Sequence, residues 1–149
     1  MKAVAIRKAS EADFDFLFEL HRQALGPYVE QTWGWDEVWQ RDYFKEHFMS
    51  RPCEVIELQG ERIGCMRIED HEEFVLLDYI AIMPAHQRIG LGTHVVRTVL
   101  KRAVDRGVPA RLKVLRVNPA KTLYERLGFE TIGADQYRFY MEAKRTETG

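Results

Sequence analysis

The segment Ile80-Ala81-Ile82-Met83-Pro84-Ala85-His86-Gln87-Arg88-Ile89-Gly90-Leu91-Gly92-Thr93 joins an apolar strand to a helix through a proline turn and two glycines one residue apart. The strand, Phe74 to Ile82, is nearly all apolar, as expected of a central strand covered on both faces. The helix carries Leu91, Val95, Val96, Val99, Leu100, Ala103 and Val104 on one stripe and is closed by Gly107. The first N–H groups of such a helix lack intrahelical partners, and its dipole places partial positive charge there. Glycine lets a large anion approach the backbone closely. In form this is a diphosphate cradle. It is not the dinucleotide fingerprint, because the third glycine would fall at Val95. Tight packing also accounts for a G-x-G at a strand–helix junction, so the pair of glycines by itself leaves both readings open.

Outward from this segment the pattern is that of an α/β chain. Val4 to Lys8 reads as a first strand, and Ser10 with Asp13 three residues on is a relative of the capping box. Phe14, Leu17, Phe18, Leu20 and Leu25 follow at helical spacing until Gly26-Pro27, which is expected to stop the helix. A loop from Tyr28 to Trp35 comes next, and Asp36 is expected to cap a second helix running to about Met49. Cys53 to Leu58 and Arg62 to Ile68 flank Gln59-Gly60-Glu61, a hairpin signal. Beyond the long helix, Arg111 to Val117 reads as a strand, and Asn118 with Pro119 opens a short helix that Gly128 ends. Phe129 to Ile132 and Tyr137 to Glu142 complete a final strand pair. The expectation is a single domain, 1–149, built on a central mixed, twisted sheet of about six to seven strands flanked by about four helices.

Composition narrows the function. With 149 residues, 46% hydrophobic and 30% charged, the balance is that of a soluble globular protein. The apolar runs are too short to span a bilayer, and the start Met1 to Arg7 holds none long enough for a secretory signal. An intracellular setting is expected. Cys53 and Cys65 are too few for a disulfide framework or a thiolate metal site. There is no G-x-S-x-G elbow, no H-E-x-x-H and no Walker loop, so serine hydrolase, zinc-protease and P-loop chemistry are set aside, and no metal is expected. Residues 1–83 carry nine basic and seventeen acidic groups, a net −8, whereas 84–149 carry thirteen and six, a net +7. One half suits an anionic ligand and the other a cationic one, unless the fold mixes them in space. The basic residues are scattered rather than striped, so nucleic acid is not an expected partner.

Gln87-Arg88-x-Gly90-x-Gly92 resembles the pyrophosphate-binding motif of the GNAT N-acetyltransferase superfamily. The proline turn after Ile80–Ile82, the strand ending at Asn118 and the run Leu123-Tyr124-Glu125-Arg126-Leu127-Gly128-Phe129 resemble the same family in order and spacing. The resemblance implies a GNAT-like fold, acetyl-CoA as co-substrate and acyl transfer to an amine by a cytoplasmic, bacterial-like enzyme. It implies that the backbone of Ile80, Ala81 and Ile82 bonds the pantetheine arm and acetyl carbonyl. It further implies that Gln87, Arg88, Ile89, Gly90, Leu91, Gly92 and Thr93 hold the pyrophosphate, that Asn118 bonds the arm, and that Tyr124 lies near the sulfur. A phenol is protonated at neutral pH and suits the role of general acid for the leaving thiolate. Asn118 and Tyr124 stand one residue closer than is common in the family, which a shorter helix entrance absorbs.

Acyl transfer needs a neutral amine and therefore a base or water relay. Two positions that hold a Glu in branches of the family are Leu76 and Lys113 here, so Asp78, on the Leu76 face of the strand, is the candidate base, with Glu30 and Asp36 as others. A buried Asp satisfied by local donors is the alternative. Tyr28, Glu30, Trp33 and Trp35 combine aromatic faces with carboxylate and suit a cationic amine, small molecule or protein, equally with a role as hydrophobic lid or dimer contact. The C-terminal strand pair leaves room for a homodimer. His86 reads as a turn residue and Cys65 as a buried structural thiol. The competing function is a catalytically silent acyl-CoA sensor or interaction module.

Overall fold

The computed structural model describes residues 4–144; residues 1–3 and 145–149, the ends of the expected domain, lie outside them. The elements are β1 (Val4–Lys8), α1 (Phe14–Ala24), α2 (Gly26–Trp33), α3 (Glu37–Tyr43), β2 (Glu54–Leu58), β3 (Glu61–Asp70), β4 (Val75–Ile82), α4 (Leu91–Arg106), β5 (Ala110–Leu115), α5 (Ala120–Arg126), β6 (Glu130–Ala134) and β7 (Arg138–Ala143). Seven strands form one mixed sheet in the order β1-β2-β3-β4-β5-β7-β6. The α/β class and the strand count are as expected, and the helices number five rather than about four. The additional one is α2. Pro27 lies in its first turn, where a missing N–H is already an orphan and a fixed φ suits the helix. Gly26-Pro27 thus ends one helix by starting the next, and the loop expected over Tyr28–Trp35 shrinks to the residues after Trp33, opened by Gly34 at φ +82°. Asp36 caps α3 as expected, its side chain accepting from the Trp39 N–H at 2.9 Å.

The described backbone divides into two compact units, residues 4–67 with 79–89, and 68–78 with 90–144. In the first, β1 pairs antiparallel with β2, and β2 with β3. The hairpin turn is two residues, not three: Gln59 and Gly60 both take positive φ, the type I′ requirement, and Glu61 already belongs to β3. The core packs Leu17, Phe18 and Leu20 of α1 against Phe44, Val55, Cys65 and Ala81. Two charged side chains are buried inside this unit. Asp13 accepts from the Ser10 N–H at 2.9 Å, from Arg7 at 2.8 and 2.9 Å and from Arg62 at 3.2 Å. The Arg7 hydrogen bonds hold its carboxyl well below the usual carboxylate range. Arg67 donates to the carbonyls of Phe48, Arg51 and Pro52 at 2.5, 3.1 and 3.0 Å and lies over the Phe48 ring. It satisfies backbone groups left open where the helical segment after α3 ends.

In the second unit, β4 pairs in parallel with β5, and β7 inserts between β5 and β6, antiparallel to both. Leu91, Val95, Val96, Val99 and Ala103 bury one face of α4, and Gly107 closes it at φ +71°. β5 ends at Leu115 rather than the expected Val117, because Arg116 to Asn118 turn toward α5 and leave Val117 40% exposed. All five residues of β6 are exposed.

Candidate active site

The parallel ladder between β4 and β5 pairs only Val75–Leu77 with Ala110–Leu112, while β5 keeps its register with β7 through Leu115. β4 itself runs on to Ile82. Along that last stretch its backbone alternates in direction. The Ala81 carbonyl points at β3, since a Cβ on Gly64 would stand 2.8 Å from it, and the Met83 N–H donates to the Ile63 carbonyl at 2.7 Å. Ile80 and Ile82 therefore aim their backbone groups at the opposite edge. The Ile82 carbonyl is taken by the Gln87 side-chain amide at 2.8 Å. Gln87 thus braces the turn through which the chain leaves the strand.

The loop that follows is built from unusual dihedral angles. Arg88 has φ +68° and Gly90 φ +89°. A left-handed arginine is uncommon and marks a constrained backbone. The first helical bond of α4 runs from the His94 N–H to the Gly90 carbonyl at 2.9 Å, so the N–H groups of Leu91, Gly92 and Thr93 lie before the ladder begins. Leu91 turns its side chain into the core, whereas Ile89 is 49% exposed. Gly92 bears on the ambiguity the glycine pair leaves in the sequence. Its φ is not left-handed, and a Cβ there would meet Leu123 at an ordinary 3.6 Å. Neither dihedral freedom nor packing requires a glycine at 92.

The Leu123 contact also places α5 beside the start of α4. α5 opens where the Asn118 Oδ1 accepts the Ala120 N–H at 2.9 Å, so the side-chain oxygen is committed to the helix entrance. Tyr124 is buried, its ring edge-on to Phe129, and burial pushes its phenol up to about 12. Among the described residues its hydroxyl forms no hydrogen bond. On the neighbouring strands, the Asp78 Oδ1 lies 4.0 Å from the Lys113 Nζ, with the Asp78 side chain 9% exposed. The structure therefore brings the two glycines and Tyr124 to one end of the second unit, and pairs Asp78 with a cation.

Of the aromatic candidates, Tyr28, Glu30 and Trp33 lie on α2, Glu30 and Trp33 exposed. Trp35 packs instead against Phe18 and His21, its indole N–H donating to Glu37 at 2.9 Å. One polar pair escapes the sequence reading. The His21 Nδ1 lies 2.8 Å from the Tyr79 hydroxyl, among Trp35, Phe44 and Phe48. Desolvation lowers His21 to about 4 and raises Tyr79 well above 10. The signal was present: His21 continues the Phe14–Phe18 stripe at helical spacing, which puts an imidazole on the buried face.

The model of the acetyltransferase (GNAT) family matches residues 14–129. The chain belongs to the GNAT acetyltransferase family. No curated protein matches it in sequence. Solved structures with the same fold include the PaiA N-acetyltransferase from Thermoplasma acidophilum in complex with coenzyme A, 20% identical over 95% of this chain and 98% of that one, with TM-score 0.75. Others are the ribosomal-protein-S18-alanine N-acetyltransferase from Escherichia coli (18%, 98% and 96%, TM-score 0.67) and a GNAT family acetyltransferase from Elizabethkingia anophelis with acetyl-CoA bound (13%, 97% and 99%, TM-score 0.67). At these identities the likeness speaks for the fold. Among the described residues of this GNAT chain, no helix is long and apolar enough to cross a membrane, and no group of three or more His, Cys, Asp or Glu is placed to hold a metal ion.

Proposed function

We propose that the chain is an N-acetyltransferase that moves the acetyl group of acetyl-CoA to a primary amine by direct attack in a ternary complex. The observation that carries this reading is Gly92 in a GNAT family member: a helix N-terminus whose amides are open and whose glycine serves no packing need. Close approach of a large anion is what such a backbone favours. In this reading the amides from Arg88 to Thr93 hold the diphosphate, and the edge of Ile80 to Ile82 that faces away from β3 pairs with the pantetheine arm. Asn118 adds the N–H donors of an amide whose oxygen is already used. Bound acetyl-CoA supplies the thioester as acyl donor.

The residues then divide the proton traffic. As the amine nitrogen bonds to the carbonyl carbon and the C–S bond breaks, the Tyr124 hydroxyl gives its proton to the departing sulfur. Its high pKa keeps that proton in place across the neutral range. Asp78 is the proposed acceptor for the proton the amine sheds, directly or through water. Glu30 and Trp33 on α2, with Tyr28, are the proposed acceptor contacts, and the acceptor is a small molecule or a protein amine. The proposed setting is the cytoplasm, with the chain working as one domain and a homodimer formed through the exposed strand β6.

The test is a panel of amines (polyamines, amino acids, peptides with free N-termini or lysines) incubated with acetyl-CoA, with thiol release and product mass both read. An acetylated amine formed in step with thiol supports the proposal. Saturable acetyl-CoA binding with no turnover on any amine makes the chain a binding module instead.

A further inference from the structure

The outer face of α3 and of the helical segment that follows it (Phe44–Phe48) carries a column of stacked rings that no core contact explains. Trp39 and Tyr43 stack at 4.9 Å, and Tyr43 and His47 at 4.2 Å, one helical turn apart each time. Trp39 is 57% and Tyr43 48% exposed. Contiguous exposed aromatic surface of this kind is uncommon on a protein with nothing to bind there.

The charges around the helix are segregated. Arg41 and Lys45 lie on the far side, their cationic groups 4.9 and 5.8 Å from the Phe14 ring centre, with Arg41 also paired to Asp15 at 2.9 Å. Asp36, Asp42 and Glu46 sit three residues from the ring positions and so flank the column. All three are exposed, and neither Asp42 nor Glu46 is ion-paired among the described residues. Arg41 and Lys45 thus lie against the Phe14 side of the helix, exposed but away from the ring column, and a ridge of aromatic faces bordered by carboxylates is left on the other side. Aromatic faces attract guanidinium and ammonium groups, and flanking carboxylates add Coulomb attraction and orientation.

We infer that the Trp39–Tyr43–His47 ridge is a docking surface for a basic polypeptide segment, whose lysine and arginine side chains lie over the rings and between the carboxylates. The surface acts by binding and is independent of acetyl transfer. A basic segment held here is recognised whether or not one of its own amines is the acceptor.

A short fluorescein-labelled lysine–arginine peptide, titrated with the full chain and read by anisotropy, tests this. The wild type binds, and binding weakens as salt rises. Trp39→Ala combined with Tyr43→Ala weakens it roughly five- to thirtyfold, two exposed cation–π contacts' worth. Trp39→Phe with Tyr43→Phe largely restores it, and Asp42→Asn with Glu46→Gln weakens binding and flattens the salt dependence. Thermal melts show that each variant folds, as exposed positions allow. Equal binding by the double alanine variant, or equal binding of an acidic peptide of the same length, overturns the inference. So does concentration-dependent dimerisation that Trp39→Ala abolishes, which would make a second copy the occupant. Capture by anionic vesicles, lost on the same substitution, would overturn it in favour of a membrane surface. Because the readout is binding, its failure leaves acetyl transfer untouched, and a chain without turnover can still pass it.

Discussion

Tyr124 and His21 are two buried titratable groups with opposite meanings. Burial raises the Tyr124 phenol to about 12, so the proposed proton donor stays protonated across the neutral range. Tyr124→Phe is expected to lower kcat roughly 10²–10⁴-fold with little change in acetyl-CoA affinity. Were Tyr124 only packing α5 near Phe129, the phenylalanine would be nearly neutral in single-turnover rate. His21 is held neutral beside Tyr79, its pKa lowered to about 4 from an ordinary 6.5. The unfolded chain therefore takes up this proton first as pH falls. Stability is full above about 6.5 and declines toward about 4. Melting curves across that window should show a drop that His21→Gln flattens; an unchanged slope would mean His21 is not the group titrating. Asp13 acts lower on the scale: its depressed carboxyl contributes stability that is present above the ordinary carboxylate pKa and lost in stronger acid. Asp13 was legible in the sequence as the capping partner of Ser10, as the structure has it, but its arginine partners and the Tyr79 partner of His21 were not. Asp13 and Arg62 are far apart in the chain, and His21 meets Tyr79 only because α1 lies against β4.

At the scale of elements, much was legible because local chemistry and tertiary context agree. The order of strands, the stripe of α4, Gly107 as its stop and Asp36 as a cap each rest on a residue type doing what its backbone needs. Pro27 shows the limit. Proline ends one helix and begins another with equal ease, and only the packing of α2 separates the outcomes. Two glycines of different meaning are separable by substitution. Gly64→Ala would put a Cβ 2.8 Å from the Ala81 carbonyl, forcing β3 and β4 apart at about 1–3 kcal/mol, measurable by denaturant melts. Gly92→Ala meets only ordinary contact with Leu123 and should leave stability nearly unchanged. Gly92→Leu should fold and yet lose most of the acetyl-CoA response, whereas intact binding in that variant would remove the loop from the cofactor site. Gly90 is the poorer probe, because its left-handed φ makes any substitution strained on its own.

At the scale of the whole molecule, a ligand that binds only the folded chain stabilises it by mass action. Acetyl-CoA at a hundred times its Kd adds about 2.7 kcal/mol, or roughly 5–10 °C in Tm for a chain of this size. A thermal scan with and without acetyl-CoA checks that shift, and Gly92→Leu is its control. The fold could be read because the element order runs through the chain and the GNAT motifs follow one another between Phe74 and Phe129, but the acceptor could not, since a shared fold does not specify which amine is bound. Direct transfer makes the sharpest claim. Protein saturated with acetyl-CoA is rapidly mixed with a competent amine, or with buffer, and thiol and acetylated amine are followed through a single turnover. Direct transfer predicts no thiol without amine, and thiol and product rising together, one for one, when amine is added. A burst of thiol before amine is present, leaving the acetyl group on the protein, would contradict it.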